Sequence, residues 1–277
     1  MSKTYVIAEI GINHNGDVNL AKELILQSKK SGCDAVKFQK RDVEVVYSSE
    51  ELDTPRESPF GTTTREQKHG IELSIDEFKE LESYSKELGL DFIVSCWDLN
   101  SLEQIEEHCD VTFHKVASAL ATDKTFLERL RDTNVPIILS TGMCTEEEIK
   151  KAVDILGENV VFLLACTSTY PTTPEEVNLR HITTLKEKYP ELKIGFSNHH
   201  NGHDACIGSI VLGSECVEFH ITQDRTMYGS DQVASIQDSD ELVSGIRKME
   251  RMVGDGVKKV YDTEKPIIDK LRKVNDI

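Results

Sequence analysis

The sequence has no apolar run long enough to cross a membrane and no basic tract. No segment of the 277 residues approaches about 18 consecutive apolar residues, and the apolar run in the opening MSKTYVIAEIG is too short for a signal sequence. Lys and Arg number 32 against 49 Asp and Glu, which gives a formal net charge of −17. Nucleic acid is held mainly by Lys and Arg that neutralise phosphates. The sequence therefore predicts a protein that binds neither nucleic acid nor a membrane.

The cysteines lack the spacing of a disulfide framework or of a structural zinc site. There are seven, an odd number, and no two of them form a CxxC pair. Scattered cysteines of this kind are typical of reduced thiols. We therefore expect a cytoplasmic protein.

Short β-branched runs alternate with longer amphipathic segments eight times along the chain. Strand then helix, repeated eight times in about 250 residues, is the pattern of a TIM (β/α)8 barrel. A doubly wound open sheet is the alternative, but GINHNGD follows the first run, where such a sheet usually has GxGxxG. The predicted strands are YVIAEI (5–10), AVKFQ (35–39), DFIVS (91–95), TFHKVAS (112–118), PIILS (136–140), VVFLLAC (160–166), KIGFS (193–197) and CVEFHIT (216–222).

One catalytic domain over residues 1–277 is expected, because the chain contains no low-complexity linker. The last predicted helix spans about 239–253, and we expect the segment 254–277 to be a tail that packs on the barrel. Ser74 and Thr145 are each followed three residues later by a glutamate. This spacing predicts capping boxes at the starts of two helices.

Charged and polar residues stand at the ends of the predicted strands. In a TIM barrel the active site lies at the carboxyl ends of the strands, so these residues should face one another. They are Glu9, Lys37, Gln39, Lys115, Ser118, Ser140, Thr141, Thr167, Ser168, Tyr170, Ser197, Asn198, His199, His200 and His220.

Lys37 and Lys115 are flanked by apolar residues within runs that we predict to be buried. An unpaired ammonium group in such a place costs several kcal/mol, so each lysine should have an anionic partner. A structural ion pair with Glu9 or another carboxylate is one interpretation. The second lysine and the nearby serine hydroxyls favour a small ligand with several negative charges, such as a compact phosphate or carboxylate. The serines are Ser118, Ser140 and Ser197.

His199 and His220 end adjacent predicted strands, which would place two imidazoles within reach of one ion. Two histidines with open positions suit Mn²⁺, Zn²⁺ or Fe²⁺ in a catalytic site. Each histidine alone could instead be a hydrogen-bonded barrel residue, and His200 is an alternative ligand. Together the pair predicts a divalent metal site.

Six strings of the sequence, in their order and at their intervals, resemble the sialic acid (N-acetylneuraminate) synthase family. They are IAEIGINHNGD, AVKFQ, ILSTGM, CTSTYPTTPEEVNL, IGFSNH and EFHIT, and they span nearly the whole chain. The resemblance implies a homo-oligomeric TIM barrel that condenses phosphoenolpyruvate with an amino sugar, typically N-acetylmannosamine or its 6-phosphate. Such a reaction releases phosphate and forms a nine-carbon 2-keto acid.

The resemblance also implies roles for individual residues and a metal, which would be manganese, with magnesium or another divalent ion as alternatives. Glu9 falls on the catalytic carboxylate, and His199 and His220 fall on the two metal-binding histidines, which also take part in catalysis. The positions that bind phosphoenolpyruvate are Lys37, Lys115, Ser118, Ser140 and Ser197. The positions that contact the acceptor sugar are Gln39, Tyr170 and Asp231.

Several positions depart from the family's pattern on the acceptor side. Leu120 stands where the family usually has an acidic residue, Ser168 replaces an asparagine, and Asn198 replaces an aspartate. Longer relatives append an antifreeze-like domain that places an arginine in the partner subunit's active site. We expect a short form without that domain, in which Arg225 is a candidate for the missing charge.

Two alternatives to a synthase stay open. The first is a non-catalytic barrel that binds a phosphorylated sugar or serves as a subunit for a partner protein, which the departure at Leu120 motivates. The second is a metal-dependent aldolase or lyase that does not use phosphoenolpyruvate. The sequence does not select among acceptors such as N-acetylmannosamine, a diacetamido hexose, mannose or a phosphorylated form.

Overall fold

The computed structural model describes residues 3–274 and contains ten strands within that range. Eight of them are parallel and close into a barrel, which confirms the predicted TIM-barrel fold. The strands are β1 (Tyr5–Gly11), β2 (Ala35–Lys40), β3 (Pro55–Ser58), β4 (Gly61–Thr63), β5 (Asp91–Cys96), β6 (Phe113–Val116), β7 (Ile137–Ser140), β8 (Val160–Cys166), β9 (Lys193–Asn198) and β10 (Cys216–His220). Around the barrel the order is β1, β10, β9, β8, β7, β6, β5 and β2, so the first barrel strand pairs with the last.

Helices surround the barrel. They are α1 (Val18–Ser31), α2 (Val43–Val46), α3 (Ser49–Leu52), α4 (Thr64–Ile71), α5 (Ile75–Glu87), α6 (Leu99–His108), α7 (Lys124–Arg131), α8 (Glu146–Leu156), α9 (His181–Lys188), α10 (Asp204–Val211), α11 (Ser239–Val253) and α12 (Lys265–Leu271). Ser74 caps α5 and Thr145 caps α8, each in a reciprocal contact with a glutamate three residues on, as predicted. Among residues 3–274, no helix combines the length and the apolar character that a membrane span requires.

The eight barrel strands coincide with the eight predicted apolar runs, because side chains on both faces of each strand are buried. The outward faces pack against the helices in one large apolar cluster. A smaller cluster fills the amino-terminal part of the barrel: Ile7, Ala35, Ile93, Ile138, Phe162, Leu164 and Cys216. Side chains of a strand alternate between its two faces. The next inward-facing residues therefore lie two positions further along, toward the carboxyl ends of the strands.

The segment between β2 and α5 and the tail after α11 differ from the sequence-based expectations. The antiparallel pair β3–β4 and three short helices occupy the first segment, and none of them was predicted. In the tail, Val257, Tyr261 and Leu271 are more than half exposed, rather than packed on the barrel. Helix α12 has only seven residues, so it offers little continuous apolar surface to bury. Residues 275–277 of the predicted tail and 1–2 of the predicted domain lie outside the described residues.

Gly195 in β9 occupies a place with no room for a side chain. A Cβ atom there would lie 2.6 Å from the carbonyl oxygen of Cys216 and 2.5 Å from Cδ2 of Leu164. Overpacking a close-packed interior costs about 1–3 kcal/mol, and here the backbone of a neighbouring strand would have to move. We expect Gly195→Ala to lower the free energy of unfolding by about 3 kcal/mol in chemical denaturation.

The matched control is Gly208→Ala in α10, where the nearest atom to the new Cβ would be Cδ1 of Leu179 at 3.1 Å. Alanine favours a helix interior over glycine by about 1 kcal/mol, which offsets this tighter contact. We therefore expect the control to unfold at nearly the wild-type denaturant concentration. An equal response of the two variants would contradict the steric explanation for Gly195.

Candidate active site

A cavity of about 180 Å³ opens at the carboxyl ends of the barrel strands. The residues predicted from the sequence that line it are Glu9, Lys37, Gln39, Lys115, Ser118, Ser140, Ser168, Tyr170, Ser197, His199 and His220. Asp231 does not line the cavity, but its Oδ2 lies 3.6 Å from Nδ1 of His220. Ser95 of β5 also lines the cavity, so the barrel brings residues from all eight of its strands, or from just beyond their ends, to one place.

Glu218 of β10 also lines the cavity, and the sequence analysis did not single it out. Its Oε1 accepts a hydrogen bond from Oγ of Ser197 at 3.2 Å. The same oxygen lies 3.4 Å from Nζ of Lys115 and 3.6 Å from Nζ of Lys37. The sequence could have indicated this residue, because Glu218 precedes His220 by two positions in one strand and so lies on the same face.

Glu9 is the second carboxylate partner of Lys37, with 2.8 Å between Oε2 and Nζ. Both predicted lysines therefore form buried ion pairs, which is the structural interpretation that the sequence left open. Both also line the cavity. Lys37 and Lys115 can therefore pair with carboxylates and also contact an anion bound in the cavity.

Burial and the neighbouring charges act in opposite directions on this cluster. Burial raises the pKa of Glu218, but the ammonium groups of Lys115 and Lys37 outweigh it and hold that pKa below its ordinary value. Burial lowers the pKa of Lys37, but Glu218 and Glu9 outweigh it and the net shift is upward. For Lys115 burial dominates and the pKa is lowered, although Glu218 opposes the shift. Lys115 is therefore the lysine of the pair that loses its proton more easily.

Gln39 lies between Glu9 and Arg41. Its Nε2 donates to Oε1 of Glu9 at 2.5 Å, and its Oε1 accepts from the guanidinium of Arg41. Because a guanidinium can only donate, this contact fixes which way the amide faces. Arg41 also stacks on Trp97, a lining residue, at 4.4 Å from the ring centroid. Arg41 was not predicted as a site residue, and through Gln39 it orients Glu9.

His199 and His220 face each other with 5.3 Å between their ring centroids, and the ring of Tyr170 packs 4.1 Å from that of His199. Nδ1 of His199 lies 2.7 Å from the carbonyl oxygen of Thr167. A carbonyl only accepts, so in the neutral imidazole Nδ1 carries the hydrogen and Nε2 has a free lone pair. Burial lowers the pKa of His199, but the neighbouring sulfur of Cys166 outweighs it and the net shift is upward. Burial lowers the pKa of His220, which favours the neutral imidazole that a metal needs.

These donor atoms fit a divalent metal ion. Nδ1 of His220 is buried and has no hydrogen-bond partner within residues 3–274, with the carboxylate of Asp231 nearby. Imidazole nitrogens supported by carboxylates suit Mn²⁺, Fe²⁺ or Zn²⁺. His200, the alternative ligand, does not line the cavity, and its Nδ1 donates to the carbonyl of Thr172 at 2.8 Å.

A different group of side chains meets a purely geometric criterion for a metal site. In the described part of the chain, the one group of three His, Cys, Asp or Glu residues whose ligand atoms lie within 4.8 Å of one another is His203, Asp238 and Glu241. It lies on the loop before α10 and at the start of α11, and none of the three lines the cavity. Asp238 and Glu241 are exposed to solvent.

Two positions on the acceptor side differ from the expectations. Arg225 does not line the cavity, and its Nε donates to the carbonyl of Ser235 at 2.7 Å. Leu120 packs against the apolar cluster outside the barrel. Trp97, Met143 and Ser168 also line the cavity.

Comparison with known proteins adds an independent observation. Residues 24–258 match the NeuB family. The chain is 37% identical over 276 residues to N-acetylneuraminate-9-phosphate synthase of Mus musculus, which covers 97% of this chain and 76% of that protein. It is 34% identical over 285 residues to N,N'-diacetyllegionaminic acid synthase of Campylobacter jejuni, at 99% and 84% coverage. A crystal structure of N-acetylneuraminic acid (sialic acid) synthetase from Leptospira borgpetersenii in complex with citrate has a TM-score of 0.84 and 29% identity, covering 99% of this chain and 94% of that one.

Proposed function

Because this chain belongs to the NeuB family, we propose that it is a transferase that condenses phosphoenolpyruvate with a sugar aldehyde. The product is a nine-carbon 2-keto sugar acid, and phosphate is released. One observation carries the proposal: two buried ammonium groups, of Lys37 and Lys115, open onto the same cavity as two imidazoles and two carboxylates. The acceptor that we propose resembles N-acetylmannosamine, since the two relatives named above are an N-acetylneuraminate-9-phosphate synthase and an N,N'-diacetyllegionaminic acid synthase.

The donor would lie between the two lysines. Phosphoenolpyruvate carries a phosphate and a carboxylate close together, and ammonium groups with hydroxyl donors suit such a compact anion. Ser140 supports this placement, because its Oγ is buried and has no hydrogen-bond partner in the part of the chain that the structure describes. The hydroxyls that complete the proposed donor site are Ser118, Ser140 and Ser197.

Gln39, Tyr170 and Asp231 are the residues that we propose on the acceptor side. His199 and His220 would hold the divalent ion, for which we propose manganese. When bound, the ion would supply Lewis-acid polarisation of the acceptor's carbonyl oxygen. Tyr170 packs against both imidazoles, so it would limit the access of water to that side of the cavity.

In the proposed reaction C3 of phosphoenolpyruvate bonds to the aldehyde carbon of the acceptor. A water molecule adds its oxygen to C2, and the bond from C2 to the phosphate oxygen breaks. Glu9, whose two oxygens contact Lys37 and Gln39 at the cavity wall, would take one proton of this water and pass it to the former aldehyde oxygen. The second proton of the water would leave with the phosphate, so that C2 becomes the keto carbon. Lys37 and Lys115 would stabilise the departing phosphate through their charges.

An assay of phosphate release tests the proposal. Purified protein is mixed with phosphoenolpyruvate, Mn²⁺ and, in turn, N-acetylmannosamine, its 6-phosphate, a diacetamido hexose and mannose. Release with one of them identifies the acceptor class. Ligand binding by calorimetry without release from any acceptor would support the non-catalytic barrel instead.

We also propose a homo-oligomer in the cytoplasm. The seven cysteines, all within the described residues, are free, which agrees with a reducing compartment. Light scattering after size-exclusion chromatography measures the oligomeric state.

A further inference from the structure

Glu218 receives its contacts from side chains that the proposed function assigns to the phosphate of the donor. Ser197, Lys37 and Lys115 all converge on one oxygen, Oε1. The other oxygen, Oε2, is buried without a hydrogen-bond partner among residues 3–274. A carboxylate thus takes up the donors that an incoming phosphate would need.

The geometry of these contacts is loose for a purely structural ion pair. A buried pair stabilises a fold when its geometry is good and the remaining lone pairs are satisfied. The pair between Lys37 and Glu9 is closer, at 2.8 Å, although Oε2 of Glu9 has no partner that satisfies hydrogen-bond geometry among residues 3–274. The two lysine contacts of Glu218 are 3.4 and 3.6 Å, longer than a strong charge-assisted hydrogen bond.

We propose that Glu218 is an exchangeable counter-anion, which releases Lys37, Lys115 and Ser197 to phosphoenolpyruvate and binds them again when phosphate leaves. This inference rests on the proposed function. Glu9 cannot serve in the same way, because Gln39 and Lys37 hold its two oxygens and no contact joins it to Lys115 within residues 3–274.

The charges of the cluster explain what such an exchange achieves. The formal charges of the two carboxylates, Glu9 and Glu218, cancel those of the two ammonium groups, Lys37 and Lys115. Without Glu218 the site would carry one extra positive charge in a place of low effective dielectric, where Coulomb attraction to an anion is strong. The product phosphate would then be held tightly. The carboxylate keeps the affinity for free phosphate low, so that the product can leave.

The test is calorimetric binding of inorganic phosphate to the metal-loaded wild-type protein and to Glu218→Gln. We expect the variant to bind phosphate about ten- to hundredfold more tightly, because a repelling charge within a few Å of the anion has been removed. We also expect KM for phosphoenolpyruvate and kcat to fall together, since slow phosphate release would limit turnover. Glu215→Gln is the matched control, because Glu215 lies before the amino end of β10 and pairs with Lys186. We expect this control to bind phosphate as the wild type does.

Weaker or equal phosphate binding by a folded Glu218→Gln variant would overturn the inference and leave Glu218 as a residue that only orients the lysines. Glu218→Asp provides a second measurement should the first variant fail to fold. Its shorter side chain withdraws the carboxylate from the lysines, so we expect phosphate affinity to rise several-fold; an unchanged or lower affinity would also overturn the inference. Failure of the wild-type protein to bind either phosphate or phosphoenolpyruvate would instead count against the proposed function.

Discussion

Lys115→Ala is expected to slow phosphate release from phosphoenolpyruvate by about a thousandfold, because it removes one of the two charges that we propose to stabilise the departing group. The remaining ammonium group of Lys37 is shared with Glu9 and Glu218, so it would offset little of the loss. We expect a rise in KM for phosphoenolpyruvate together with a fall in kcat. Stability should fall by at most about 3 kcal/mol, since Glu218 keeps Lys37 and Ser197 as partners.

Steady-state kinetics with phosphoenolpyruvate as the varied substrate measures the effect, and thermal unfolding confirms that the variant is folded. Lys193→Ala is the matched control, because Lys193 begins a barrel strand at the opposite, amino end and is exposed. We expect it to retain nearly full activity. Undiminished turnover in Lys115→Ala would favour the aldolase or lyase alternative, which does not need this cation.

Removal of divalent metal by a chelator is expected to abolish turnover, and Mn²⁺ should restore it in the wild type but not in His220→Ala. The variant loses one of the two proposed imidazole ligands, and we expect its affinity for Mn²⁺ to fall by at least about a hundredfold. Titration of Mn²⁺ followed by electron paramagnetic resonance measures this affinity independently of activity.

His203→Ala is the control that separates the two possible metal positions. His203 belongs to the outer group with Asp238 and Glu241 and does not line the cavity. We expect this variant to keep its Mn²⁺ affinity and its turnover. Loss of Mn²⁺ binding in His203→Ala with normal binding in His220→Ala would place the ion in the outer group.

The barrel itself was predictable because each barrel strand is buried on both faces. Such strands appear in the sequence as short continuous apolar runs, which stand out between amphipathic helices. The segment between β2 and α5 gives no such signal. The strands β3 and β4 there are short and largely exposed, so their residues show neither an apolar run nor a clear alternation.

Most of the candidate site was predictable from the polar residues that end the strands. Glu218 was missed because it is one acidic residue within an apolar run. The lysines that pair with it, Lys37 and Lys115, come from two other strands, so the sequence around Glu218 does not show them. Arg41 was missed for a related reason. It is buried because Glu72, distant in the chain, pairs with its guanidinium, and no local pattern encodes that partner.

Closure of the barrel by β1 against β10 has a consequence for biosynthesis. Tyr5 pairs with Cys216, so the seam of the barrel joins segments that leave the ribosome far apart in time. Until β10 has been made, the ammonium groups of Lys37 and Lys115 have no access to Glu218. The nascent chain therefore closes its barrel and completes its candidate active site in the same late event, and a translation product that stops before β10 would contain neither.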